Sequence, residues 1–411
     1  MLASAAMAHI HLAWELGSGL GHVSRLKPIA IELARRGHEV SMSLRDLVVT
    51  RSAWLPLDLA CVQAPVFLHQ TVGLPKRAAS LAEIALAHGY LEGGVLDALF
   101  EGWRALIARF GPALVVADYA PTATLAARAL GIPAMAIGLG FAVPPAGRPL
   151  PSIRWSGELE PGRLAAAESR LVHSANHALR ATGVAPLTRG SELFRGDRAL
   201  LCDWPELDCY ARGPLADGET WFGPNFDPAA GDAPRWPLGE GPRVFAYLKG
   251  THRDTETVLR ALVDRGCRTL CYLRGIDSGK PPPVEHALLA YSPGPVNLEA
   301  ALDEAALCVC HAGGGTTAQS LLAGVPLLLL PSQAEQELNA RAIERLGAGV
   351  AVVQGRAPGE ALARLLDEGH FRGAARSFAE RHRGFSHERQ TRDLCDTIER
   401  TLPRGANGPT T

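Results

Sequence analysis

Two histidines beside glycine-rich turns, His22 and His311, and an acid at a strand end, Asp118, are the residues whose type and spacing best suit chemistry. The apolar run 307–310 reads as a buried parallel strand and leads into His311-Ala312-Gly313-Gly314-Gly315-Thr316-Thr317. Bare glycines let a ligand approach the backbone, and the helix predicted from Thr316 opens with several unpaired amides. Those amides and the helix dipole form an anion site, most naturally for phosphate. His311 adds a donor to the same anion. The plainer alternative is a turn that serves only close packing. The histidine before it, and Pro331-Ser332-Gln333-Ala334-Glu335-Gln336 after the next apolar run, favour a ligand.

A second glycine loop, Gly17-Ser18-Gly19-Leu20-Gly21-His22, follows a predicted strand over 9–14. Leu26, Ile29, Ala30, Leu33 and Ala34 then mark one face of a helix, and a strand over 38–44 completes a βαβ unit. As a dinucleotide fingerprint the loop fails: His22 stands where a third glycine is needed, although Asp46 could supply the acid. Asp118 ends the apolar run 113–117, where doubly wound sheets place ligands. Capping the helix over 121–130 is its alternative role, and the two are compatible. His173 and His177 have the i, i+4 spacing of metal ligands, but no third ligand accompanies them, so they read as packed or solvated.

Further strands are predicted over 132–137, 243–248 and 269–274, and helices over 81–87, 94–110, 164–182, 256–265, 339–346, 358–366, 371–381 and 386–402. The segment 47–110 otherwise reads as irregular, and 141–165 as a proline-rich, lid-like loop containing Trp155. The 411 residues suffice for two full cores, and a net charge of −1 excludes a field that would gather nucleic acid. No apolar run is long enough to span a bilayer, and the start at Met1 lacks a basic leader. The eight cysteines form no CxxC pair and read as small buried hydrophobes of a reducing cytoplasm.

The stretch from His311 through Gln336 and Asn339 to Gly349 resembles the nucleotide-sugar motif of GT-B glycosyltransferases. The likeness is to the large family of plant and bacterial natural-product (UDP-glycosyltransferase-like) enzymes, and more distantly to murein-precursor N-acetylglucosaminyltransferases. Gly21-His22 matches the family's Gly-His pair, within a glycine loop that includes Gly19. The resemblance implies that His22 is the general base and that Asp118 accepts a hydrogen bond from it. Arg25 stands where the family has a proline, with Pro28 one turn later. The likeness further implies that His311, Gly314, Gly315 and Thr316 hold the donor diphosphate. The backbone at Pro295 and Val296 would read the nucleobase. Gln319 replaces the usual ribose-binding Glu, removing a charged acceptor. Glu335 and Gln336 would bind the donor sugar, with Glu in place of the usual Asp. Lys249 stands where many relatives have a small turn residue, and either adds charge near the diphosphate or is solvated.

The implied fold is α/β: GT-B, two doubly wound Rossmann-like domains facing a cleft, with a C-terminal helix crossing back to the first. The expected division is an acceptor domain over 1–210 and a nucleotide-sugar domain over 211–385, with Trp221-Phe222-Gly223-Pro224 announcing the latter. A crossing helix over 386–402 and a tail over 403–411 follow. The implied activity is an inverting, metal-independent transfer of a hexose from a UDP- or dTDP-linked sugar to a hydroxyl of a small-molecule or lipidic acceptor. No cofactor or metal, no nucleic-acid partner, a cytoplasmic location and at most peripheral membrane contact are expected. The alternatives are a nucleotide-sugar epimerase or hydrolase on the same fold, and a noncatalytic sugar-nucleotide binder.

Overall fold

In the computed structural model, residues 7–154, 157–226, 231–275, 281–353 and 356–403 are described. Residues 1–6, Trp155 and residues 404–411 lie outside them. The chain divides into two compact units, residues 1–226 with 386–411, and residues 227–385.

Among the described residues, seven parallel strands build the first unit: β1 (His9–Trp14), β2 (Glu39–Leu44), β3 (Ala60–Gln63), β4 (Leu114–Asp118), β5 (Ala134–Gly138), β6 (Arg198–Leu201) and β7 (Glu219–Trp221). Their order is β3-β2-β1-β4-β5-β6-β7, so the direction of winding reverses between β1 and β4. The register there pairs Trp14 with Asp118. The strands are apolar on both faces because helices cover both; Ile10, Leu12, Val116 and Ile137 are all fully buried. One polar exception is His11, whose ring nitrogens meet the Ser41 and Ser43 hydroxyls at 2.8 Å each. β3 forms within the stretch expected to be irregular, and β6 lies where no strand is predicted. β7 explains why the units divide at Phe226 and not near residue 210. Trp221 still belongs to the first sheet, pairing with Leu201.

The helix His387–Thr401 also belongs to the first unit. The Ser386 side chain caps it by accepting from the Arg389 amide. Leu394, Cys395 and Ile398 sink fully into the core formed by β1, β2 and the helix Gly21–Arg35. At the rim, Arg36 Nη1 reaches Asp396 at 2.6 Å and Glu399 at 2.7 Å. The expected return of the C-terminal helix to the first domain is therefore present.

The second unit holds six parallel strands among the described residues: β8 (Arg243–Lys249), β9 (Arg268–Arg274), β10 (Leu289–Ser292), β11 (Leu307–Cys310), β12 (Leu327–Leu329) and β13 (Gly349–Ala351). Their order, β10-β9-β8-β11-β12-β13, repeats the same plan, with the reversal between β8 and β11. Val244, Ala246, Val309 and Leu328 lie in its buried core with Leu259 and Leu362 from the covering helices. In both units the reversal point is where open α/β sheets form a crevice beyond the strand ends.

Candidate active site

In the first unit, the chain leaves β1, crosses the glycine loop and enters the helix Gly21–Arg35, which carries His22 in its first turn. Asp118 closes β4 beside it. His22 Nδ1 lies 3.0 Å from Asp118 Oδ1. An ionised carboxylate can only accept, so Nδ1 donates and Nε2 carries the lone pair. Trp14 stacks on the imidazole, with ring centres 5.0 Å apart and planes at 16°. One ring nitrogen and one face of the ring are thus committed, and Nε2 is the chemically available atom.

Asp118 is fully buried. Burial alone would raise its carboxyl, but Arg25 and His22 hold it below the ordinary carboxylate range. Arg25 Nη1 donates to Asp118 Oδ2 at 2.6 Å. The helix Pro121–Ala129 that follows is not capped by Asp118. Its amide at Thr122 donates instead to Glu15 Oε2, at 2.7 Å. The capping alternative for Asp118 is thereby answered by Glu15, at the end of β1.

Of the loop glycines, Gly19 adopts a left-handed φ of +90° and faces open space, while Gly21 opens the helix. Gly17 is the closer neighbour: a Cβ there would lie 2.5 Å from His22 Nε2. The loop sequence contained Gly17, but only the folded loop shows that it faces the ring.

In the second unit, the helix Gly314–Leu322 starts at Gly313 without a side-chain cap. The amides of Gly314, Gly315 and Thr316 fall in its first turn, with Gly315 exposed and Thr316 half-buried. The turn before it is strained: Ala312 sits at φ +60° and is fully buried. Asn339 Nδ2 holds it, donating to Ala312 O at 2.9 Å and lying 3.0 Å from Thr317 Oγ1. Asn339 was part of the motif stretch, but its side chain's task shows only in three dimensions.

His311 departs from its expected task. Its Nδ1 donates to Leu330 O at 2.7 Å, and its Nε2 accepts from the Lys249 amide at 2.8 Å. Burial lowers the imidazole to about 4, so the ring is neutral. With its one N–H spent on a carbonyl, His311 has no donor left for an anion. It ties β8, β11 and β12 together at their carboxyl ends.

Pro295 is tied into a backbone bridge. Its carbonyl accepts from the Asp232 amide at 2.9 Å, and the Asn297 amide donates to Asp232 O at 2.7 Å. Val296's own amide and carbonyl take no part in that bridge. Gln319 donates along its own helix to Gly315 O at 3.2 Å. Glu335 and Gln336 lie in the first turn of the helix Ala334–Arg345, which begins earlier than the periodicity from Asn339 indicated. The Gln336 side chain reaches back past the helix start, its Oε1 accepting from the Ser332 amide at 2.9 Å and the Ser332 hydroxyl at 3.0 Å. Both side chains are half-buried.

His177 Nε2 lies 3.7 Å from Asp97 Oδ2, and His173 is its neighbour one turn earlier. Among the described residues no three potential ligands converge on a metal position. No helix among them is long and apolar enough to cross a membrane.

Residues 288–391 match the glycosyltransferase family 28 C-terminal domain. The chain is 32% identical over 301 residues to a PGL/p-HBAD biosynthesis glycosyltransferase from Mycobacterium tuberculosis, covering 67% of this chain and 68% of that one. The calicheamicin glycosyltransferase CalG4 superposes with a TM-score of 0.68 at 20% identity, covering 98% of this chain and 100% of the other. The glycosyltransferase SsfS6 of Streptomyces sp. SF2575, complexed with thymidine diphosphate, superposes at 0.61 with 22% identity, covering 96% and 100%. At such identities these two likenesses are of fold.

Proposed function

Because this chain belongs to the GT-B glycosyltransferases, we propose that it moves a hexose from a nucleoside-diphosphate sugar to a hydroxyl of a small-molecule acceptor, with inversion and without a metal. His22 Nε2 takes the proton from the acceptor hydroxyl as its oxygen attacks the anomeric carbon. Asp118 holds the imidazole in the required tautomer and stabilises the imidazolium. The sugar–phosphate bond breaks on the opposite face, and the departing diphosphate gathers negative charge. The first-turn amides of Gly314, Gly315 and Thr316 receive it, aided by the helix dipole. Glu335 and Gln336 orient the sugar through its hydroxyls, and Val296 and Gln319 meet the nucleoside. His311 supports the turn and does not itself donate.

The observation that carries this proposal is the His22–Asp118 hydrogen bond at 3.0 Å. It leaves a lone pair on the one ring nitrogen that neighbouring Gly17 keeps uncovered. Thymidine diphosphate bound to SsfS6 supports a pyrimidine nucleotide donor, dTDP- or UDP-linked. The test is nucleotide release from UDP-glucose and dTDP-glucose, with and without a panel of phenol and alcohol acceptors. Acceptor-dependent release supports transfer. Equal release without acceptor supports donor hydrolysis instead, and conversion of the donor to another nucleotide sugar without release supports epimerisation.

A further inference from the structure

Arg25 follows His22 by three residues on one helix, so both side chains leave the same face. They reach the two oxygens of one carboxylate: His22 at Asp118 Oδ1, 3.0 Å, and Arg25 at Oδ2, 2.6 Å. The Arg25 side chain is 8% exposed and that of Asp118 0%, so water barely screens the pair. Asn225 Nδ2 donates to the Arg25 carbonyl at 3.1 Å, tying this turn of helix to the end of the segment 1–226.

A carboxylate gripped at both oxygens cannot rotate, which fixes the line along which Oδ1 meets the imidazole. The charges have a second consequence. With Arg25, the three groups sum to zero before His22 takes up a proton and to +1 after. With a neutral residue at position 25 they would sum to −1 and then zero, a change that favours the imidazolium. We propose that Arg25 is a positioning residue for the transfer reaction. Through Asp118, it orients His22 and restrains the ring's uptake of a proton, so that the free base persists to lower pH. This rests on the base role of His22, whereas the coupling itself is a property of the unliganded protein.

Other polar and titratable groups lie near the pair. Cys202, beyond β6, has its thiol pushed up to about 12 by burial and stays protonated, with Asp203 next to it. Tyr119 follows Asp118 and faces the His22 ring, centres 6.5 Å apart. Glu15, pushed up to about 7 by burial, bonds Thr122 and is a second group able to shape an acid limb of activity. An activity limb alone would therefore be ambiguous, and the ring of His22 must be watched directly.

The experiment is an NMR titration of the full chain labelled at histidine, with the His22 signal assigned by its loss in His22→Gln. In Arg25→Gln, the His22 midpoint should rise by about one pH unit, and the acid limb of kcat/KM should follow it. In Arg25→Lys, which keeps the charge but loses the planar fork, the midpoint should stay while kcat falls about tenfold at unchanged donor KM. An unmoved midpoint in a folded Arg25→Gln protein overturns the proposal. If that variant does not fold, Arg25→Lys decides, and wild-type kcat there overturns it. Full turnover by His22→Ala would remove the base role, and it is read in a separate assay from the titration.

Discussion

A Cβ placed on Gly17 would sit 2.5 Å from Nε2 of His22, closer than any carbon can approach a nitrogen without bonding. The backbone at Gly17 has φ +82°, a left-handed conformation suited to glycine. Gly17→Ala should therefore push the ring from its place or cover its lone pair. We expect kcat to fall on the order of 100-fold, the scale of a lost general base. The melting temperature should fall by only a few degrees, matching about 1 kcal/mol of left-handed strain. Steady-state kinetics beside a thermal melt check both. A folded Gly17→Ala enzyme with wild-type kcat would place the reacting atom elsewhere.

Asn339 makes the opposite kind of contribution, on the donor side. Its amide restrains Ala312 in a left-handed conformation and meets Thr317. Asn339→Ala should loosen the glycine turn, raising donor KM about tenfold while costing about 1–2 kcal/mol of stability. kcat at saturating donor should change little. Calorimetric titration with UDP and dTDP checks the affinity without any acceptor.

Glu15 gives a pH dependence of stability. Burial raises its carboxyl from 4.5 to about 7 in the folded protein, outweighing the Thr122 and Ala123 hydrogen bonds. The folded state therefore binds this proton more tightly than the unfolded state. The resulting stability is fully present below pH 4.5 and is lost as pH rises through about 7. Glu15→Gln, which cannot ionise, should match wild type near pH 4.5 and exceed it by about 3 kcal/mol above pH 7. Urea denaturation at several pH values measures the difference. A constant offset across that range would show that Glu15 does not titrate there.

The C-terminal helix should matter to the first unit as core and not as decoration. Ile398 is fully buried against β1, β2 and the helix that carries His22. Ile398→Ala should cost about 3 kcal/mol. Urea unfolding of the full chain, compared with Leu238→Ala at a residue 91% exposed, separates packing from composition.

Much of this was legible in the chain because the two glycine loops follow apolar runs and precede helical periodicity. That pattern placed β1, β4, β8, β9, β11 and β12 and put His22, Asp118 and Thr316 at strand or helix ends. Short, half-exposed strands carry less pattern. Ala60–Gln63 and Glu219–Trp221 gain their identity from a neighbouring strand, not from their own sequence. The periodicity places the start of the helix at Ala334 too late because Pro331 and Ser332 look like a loop, whereas the folded chain ties Ser332 back to Gln336. His311 shows the deeper limit. Its type and place suggested an anion donor, but Leu330 and the distant Lys249 amide occupy both nitrogens. Arg25 was visible as a departure from the family's proline; its meaning needed β4 beside it.

The most direct measurement is the acceptor-dependent turnover of His22→Ala with UDP-glucose or dTDP-glucose, alongside a circular-dichroism melt. The expected result is a loss on the order of 10²–10⁴ in kcat with the fold retained. A folded variant that transfers sugar at the wild-type rate would contradict the assignment of His22 as the base.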